Sequence, residues 1–427
     1  MPRMATVRSS HPGAVSRRLV EPLTLDDLTR DLVWVRLLRA GPLSLRPARL
    51  GLGLAYLVCV GIVLAVTRAL IGPDRAAAVG LIVEEHAANL GSAVLALGSL
   101  APKAAAREVY ALGVELPARL LSEATLATLL AGPALVWLTA VVGGAISRSV
   151  ATEAAQGVSL AWPKALGFAL GRWTSLTGAL AIPLILVWGV ALGLHVAGWA
   201  LLSLPVVNIV GGLAWGLLLV GGLVGAVVLL AMIVGHPLLL PSVAVEGTDA
   251  VDAVQHAYSF VFARPLRLAA YWALLIVQGA ALLLLAGLVV HLALQFVAVG
   301  ASGWSGEAGR RIVGALPAAA IGPDQALATS PRGTERVAAG IASLFTVALL
   351  GVLGAVVVSY AFTGSTLLYL AMRRVVDGQD MSEVYMPTLI PGTQSPTPAA
   401  AGVSAPRTSP APAGREGVSD TGPADET

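Results

Sequence analysis

Three features of the 427-residue chain predict an all-α fold, a polytopic transmembrane helical bundle of about six spans that carries amphipathic surface helices. Apolar residues make up 56% of the chain and charged ones only 12%, against roughly 25% charged in a soluble domain. Mean hydropathy is +0.82. Uncharged runs of transmembrane length recur between residues 50 and 372, and about 20 apolar residues suffice for a helix to cross the hydrocarbon core. Such a composition excludes an ordinary water-soluble enzyme.

Residues 1–23 mix Arg, Ser, Pro and Gly without periodicity and are expected to be disordered. The membrane domain then occupies residues 24–376. It opens on a short surface helix capped by Thr24, with Asp26 and Asp27 in its first turn and Leu25, Leu28, Leu32, Val35 and Leu38 at helical spacing. Arg36, Arg39, Arg46 and Arg49 precede the first span, expected near 50–71, and favour the cytoplasmic side. With some fifty residues before it, that run reads as a retained anchor rather than a cleaved signal. From Gly72 to Ala124 the chain is too charged to span, and the breaks at Pro102 and Pro117 suggest two or three amphipathic helices on the outer side.

The second span is expected near 125–146, with Arg148 at its inner end. The third and fourth, near 174–200 and 206–234, form an antiparallel hairpin around Pro205. The fifth lies near 268–297, and the sixth near 337–372 ends at Arg373 and Arg374. That last run would be about 54 Å long at 1.5 Å per residue, so it must tilt in a hydrocarbon core of roughly 30 Å or project beyond it. Residues 377–427 turn to Pro, Ala, Ser, Thr and Gly, too polar to offset ordering entropy, and are expected to form a disordered cytoplasmic tail. Six spans place both termini on the cytoplasmic side of the cell (inner) membrane. Arg148, Lys164, Arg172, Arg264, Arg267, Arg373 and Arg374 give that side a moderate basic excess over a smaller outer set that includes Arg75, Arg119, Arg310 and Arg311.

Two inner loops are built alike. Pro163 opens a helix carrying Ala165, Leu166, Ala169 and Leu170. Thr248 or Asp249 caps a second helix, with Val251, Val254, Tyr258 and Val261 on one face and Asp252, Gln255, His256 and Ser259 on the other. Each feeds a span, through Arg172 or through Arg264–Pro265, as a duplication would, although amphipathic helices also resemble one another by chance. Asp249, Asp252, Gln255, His256 and Arg264 form a candidate interaction face for a peripheral partner or anionic lipid, with a solvated face as the alternative.

Most chemistry is excluded. The balance of 27 Lys plus Arg against 24 Asp plus Glu is too even for a nucleic-acid surface. A single cysteine, Cys59, allows no intramolecular disulfide or multi-thiolate site and reads as a small packing residue. The only lysines, Lys103 and Lys164, both follow proline, so no P-loop exists, and Gly51-Leu52-Gly53 lacks the third glycine of a dinucleotide fingerprint. His195 and His291 could bind haem or metal if they met on facing helices. Counted from Trp173 and Pro265 they lie about 33 and 39 Å along their helices, at the outer interface, where headgroups solvate them. Glu84, Glu85 and His86 read as a solvated helix face. No cofactor or metal is expected, and the chain is read as non-enzymatic. The span residues Thr174, Thr177, Asn208, Gln278 and Gln295 suit hydrogen bonds between helices, and the scarcity of ionisable groups argues against a proton relay. In the fourth span Gly211, Ala214, Gly221, Gly222 and Gly225 share one stripe around Leu218, a helix-packing surface that Gly189 and Gly193 could face.

The stretches Gly235-His236-Pro237-Leu238 to Pro241, Glu246-Gly247-Thr248-Asp249-Ala250, Ala257-Tyr258-Ser259 to Arg264-Pro265, Arg36-Leu37-Leu38-Arg39 and Leu45-Arg46-Pro47 resemble uncharacterised bacterial multi-pass membrane proteins over most of residues 30–375. The surface helix followed by a span is also distantly similar to the membrane domain of some glycerophosphodiester phosphodiesterases. Their catalytic domain has no counterpart here, so that activity is not implied. Two readings follow. The first is a structural or accessory component that contacts the lipid bilayer and a membrane-protein partner or second copy. The alternative is a transporter or permease for a neutral or lipid-like molecule, which calls for a polar cavity between the two units near mid-membrane.

Overall fold

The computed structural model describes residues 33–98, 101–203, 205, 207–317, 330–381 and 383–385. The expected disorder of 1–23, the start of the surface helix at Thr24, the side chain of His86 and the tail beyond 385 lie outside the described residues. Every described element is helical. Helices α1 (Val33–Leu37) and α2 (Ala40–Ser44) lead into α3 (Pro47–Ile71). The segment after it holds α4 (Pro73–Gly98), α5 (Pro102–Tyr110), a π turn and α6 (Leu116–Glu123). Then come α7 (Thr125–Gln156), α8 (Trp162–Gly171), α9 (Trp173–Leu202), α10 (Val207–Leu213), α11 (Trp215–Glu246), α12 (Ala250–Ala263), α13 (Pro265–Trp304), α14 (Gly306–Gly314) and α15 (Thr334–Val376). Six of them, α3, α7, α9, α11, α13 and α15, are long and apolar enough to cross a membrane. The chain is a multi-pass membrane protein with an all-α fold.

Local chemistry sets the helix ends. Proline opens α3 and α13, where its missing N–H costs nothing and its fixed φ suits the first turn. Gly157 and Gly247, at φ 71° and 67°, close α7 and α11 in the left-handed region and return their N–H groups to the carbonyls of Glu153 and Val243. These two spans run furthest past their expected ends. Helix α7 continues to Gln156 rather than 146, and α11 to Glu246 rather than 234. Pro237 and Pro241 suggest a helix end near 235 because each removes a backbone donor, but helices packed around a membrane span tolerate such breaks. The fourth span also starts later than expected, because the chain turns at Ala214 and sets α10 apart from α11.

Helices α7, α11 and α15 pack on one another and form the centre, with α3 against α7 and α15, α9 against α7 and α11, and α13 against α15. Burial is concentrated at one end. Continuous buried runs cover Ala140–Glu153 of α7, Leu238–Val245 of α11 and Thr366–Arg373 of α15. Helices buried all round need neighbours on every side, which α8 and α12 supply by packing across α7 and α11 at that end. We call it the polar end, since the starts of α3, α9 and α13 meet the ends of α7, α11 and α15 there. Toward the far end the spans present Leu217, Leu223, Leu284, Leu285, Leu344 and Phe345 outward. In water such a surface would aggregate, whereas lipid covers it.

The chain after the sixth span does not leave the bundle at 377. Met381 and Val384 are buried, and Arg373 donates to the carbonyl oxygens of Asp380, at 3.0 Å, and Glu383.

Candidate functional site

A half-open cavity of about 610 Å³ lies between α7, α9, α11, α13 and α15. Leu180, Leu240, Leu275, Leu283 and Phe362 give it apolar walls, and the polar groups on it are Thr139, His236, Tyr360, Ser365 and Trp272, whose indole N–H is buried without a hydrogen-bond partner. Most of these are already satisfied. Thr139 Oγ1 donates to the carbonyl of Leu135 (2.7 Å) and Ser365 Oγ to that of Ala361 (2.6 Å). Tyr360 donates to the carbonyl of Leu275 at 2.6 Å. Gln278, one turn along α13, donates at 2.6 Å to the carbonyl of Leu38 and so ties α13 to the α1–α2 turn. This is the inter-helix role expected of a neutral polar group in a span. Thr177, by contrast, has a buried hydroxyl with no hydrogen-bond partner.

His236 is an exposed side chain on the cavity wall. It lies ten residues before the end of α11, about 15 Å along the helix at 1.5 Å per residue. The sequence pointed to His195 and His291 as the histidines within apolar runs, because the fourth span was expected to stop at 234. Those two are exposed on α9 and α13. Pro237 and Pro241 stand on the same wall as His236, and each leaves the carbonyl four residues earlier without its usual helical donor.

A second cluster closes the polar end. Arg49 is only 1% exposed. Its guanidinium donates to the carbonyls of Leu43 (2.6 Å) and Ser149 (3.1 Å), to Ser149 Oγ (3.3 Å) and to Glu153 Oε2 (2.5 Å). The other oxygen of Glu153 meets Arg46 at 2.9 Å. Arg148 donates to the carbonyl of Ala244 (3.0 Å) and lies 4.6 Å over the Phe168 ring, joining α7 to α11 and α8. Arg172 donates to the carbonyl of Gly247, the residue that closes α11. Tyr369 donates to Glu246 Oε1, and His256 Nδ1 lies 3.3 Å from Glu246 Oε2. The arginines that mark a basic side in the sequence thus serve as the mortar of the fold. Nothing in the sequence paired Arg49 with Glu153, since 104 residues separate them.

The structure places the proposed interaction face as follows. Asp249 accepts from the N–H groups of Val251 and Asp252, both at 2.9 Å, and so caps α12, a role worth about 1 kcal/mol. Asp252, Gln255, His256 and Arg264 are exposed, while Ala253, Ala257 and Phe260 are buried on the opposite side. His256 faces Glu246 and joins the cluster; Asp252, Gln255 and Arg264 are left on the open surface. Tyr258 packs beneath them, where a Cβ on Gly235 would come within 3.0 Å of its ring, and burial pushes its phenol up to about 12.

The glycine stripe divides. A Cβ at Gly221 would lie 2.9 Å from Leu194 and one at Gly225 3.1 Å from Val190, both on α9, whereas Gly222 has open space. Gly211 packs on Leu201 and Leu202, and Ala214 is in the turn before α11. Gly189 and Gly193 face open space, so their neighbours Val190 and Leu194 are the knobs. Cys59 is exposed and lines a groove instead of packing between helices. Among the described residues no group of three or more His, Cys, Asp or Glu is placed to hold a metal. No protein-family model, curated protein or solved structure matches the chain.

Proposed function

We propose that the chain is a non-enzymatic permease of the cell membrane that admits a neutral, lipid-like molecule between α11, α13 and α15. The 610 Å³ cavity carries this reading. Its size falls within the roughly 300–1,000 Å³ of ligand pockets, and such pockets combine apolar walls with a few polar groups that fix orientation. The transport reading called for a polar cavity between the two helix-plus-span units near mid-membrane; this one is walled mainly by apolar side chains, with a few polar groups from α7, α11 and α15, a lining that suits an uncharged or amphipathic cargo. An ionised molecule would lose its hydration there without a paired charge.

The test is transport by vesicles reconstituted with the purified chain, using a fluorescent short-chain diacylglycerol. Wild-type vesicles are expected to move the probe across the bilayer faster than empty ones. Ala280 is exposed on the cavity wall, so Ala280→Trp should fill the space and return the rate to that of empty vesicles. A wild-type rate equal to empty vesicles, or an unimpaired Ala280→Trp variant, would overturn the reading.

A second reading, an accessory component docking a membrane-protein partner, is favoured by the exposed Asp252, Gln255 and Arg264 on α12. Recovery of the chain alone from mild detergent would count against it.

A further inference from the structure

On the side of the bundle away from the central cavity, two hollows meet. An apolar groove of about 830 Å³ runs between α3, α7 and α8, walled by Leu52, Cys59, Trp137, Val141, Trp162 and Leu166. A smaller pocket of about 310 Å³ is lined by Arg46, Arg49, Ser149, Glu153 and Ser159. Pro47 and Ala48, the first residues of α3, line both. A polar compartment therefore opens directly onto an apolar one.

We propose that this composite hollow binds one anionic phospholipid, with its phosphate beside Arg46 and an acyl chain along α3. Charge favours an anion, because two guanidinium groups face one carboxylate. Arg49 is enclosed and engaged with Glu153, whereas the Arg46 side chain is 59% exposed and meets the same carboxylate through a single nitrogen. Among the described residues its remaining donors meet no other partner and can form the forked contacts that guanidinium makes with phosphate. The exposed hydroxyl of Ser159 adds another donor on the pocket rim. Length agrees as well. From Pro47 to Cys59 the groove follows α3 for about 18 Å at 1.5 Å per residue, close to half of a hydrocarbon core of roughly 30 Å. Trp162, the first residue of α8, is exposed on its wall, as aromatic rings are where chain meets headgroup. The site shares no residue with the cavity of the proposed transport function and stands or falls independently of it.

Native mass spectrometry of the purified, delipidated full chain with equimolar phosphatidylglycerol and phosphatidylcholine of identical acyl chains tests the proposal. The wild type should retain one phosphatidylglycerol in preference. Arg46→Ala leaves the Arg49–Glu153 pair in place and should cut that preference about tenfold, roughly the worth of one charge-assisted hydrogen bond; Arg46→Lys should keep part of it. A Cβ on Gly51, which lines the groove, meets no atom within 4 Å, so Gly51→Leu should fold normally and lower retention of phosphatidylglycerol by blocking the chain. Equal retention of both lipids by the wild type, an unchanged preference in Arg46→Ala, or unchanged retention in Gly51→Leu would overturn the site. Displacement of the lipid by millimolar inorganic phosphate alone would assign the pocket to a free anion and overturn it too.

Discussion

Replacing Arg49 with alanine is expected to destabilise the folded protein by about 3–5 kcal/mol, the cost of removing one partner from a buried ion pair. Four hydrogen bonds tie this guanidinium to α7 and to the carbonyl of Leu43 in α2. Without it the carbonyl of Leu43 keeps only the long 3.4 Å contact from the Arg46 N–H, and Glu153, only 6% exposed, keeps a charge whose remaining partner is the exposed Arg46. The damage should therefore exceed the value of any single contact. A comparison separates the stranded charge from lost packing. Arg49→Met with Glu153→Leu removes both charges and keeps volume, and it should recover most of the loss, because an ion pair replaced by matched apolar side chains is often neutral. Thermal or denaturant unfolding in detergent micelles measures both. If Arg49→Ala unfolds with the wild type, the cluster is not holding the polar end together. If the double variant is as unstable as the single one, packing rather than charge is the cause.

The fold was legible in the sequence wherever one residue type decided the matter. Long uncharged runs gave the spans, Pro163 stands in the first turn of α8, and Asp249 caps α12 as its position before an amphipathic run suggests. What stayed hidden depends on pairing across the chain. Arg49 and Arg148 read as basic markers at span ends because sequence shows charge but not its partner. Their acceptors, Glu153 and the carbonyl of Ala244, are 104 and 96 residues away. The cavity was hidden for a related reason. Its position depends on α11 continuing through Pro237 and Pro241, and two prolines in one turn look like a helix end unless neighbouring helices are known to enclose them. Similarly, a glycine stripe predicts that something approaches but not from which side. Gly221 and Gly225 receive α9, and Gly222, rotated by 100° from Gly221, does not.

That ambiguity is resolved by two glycines two positions apart, Gly51 and Gly53, for which opposite outcomes are expected. A Cβ at Gly53 would lie 2.9 Å from the carbonyl oxygen and 3.3 Å from the Cα of Ala355. Backbone cannot rotate aside, so any side chain there must push α3 away from α15. The same interface closes further along, where Cβ atoms at Gly354 and Gly351 would meet Leu57 at 2.8 Å and Leu54 at 3.2 Å. In lipid, helices gain little from burying apolar surface and associate through close packing, so a widened gap forfeits dispersion contacts along the whole seam. Gly53→Leu should cost about 3 kcal/mol, the upper part of the usual range for overpacking. Gly51→Leu points into the open groove and should be neutral or stabilising by up to about 1 kcal/mol through its higher helix propensity. Unfolding of the two variants in parallel decides it. Equal stabilities would mean that α3 does not lie against α15 at this distance, and the bundle's first span would have to be repositioned.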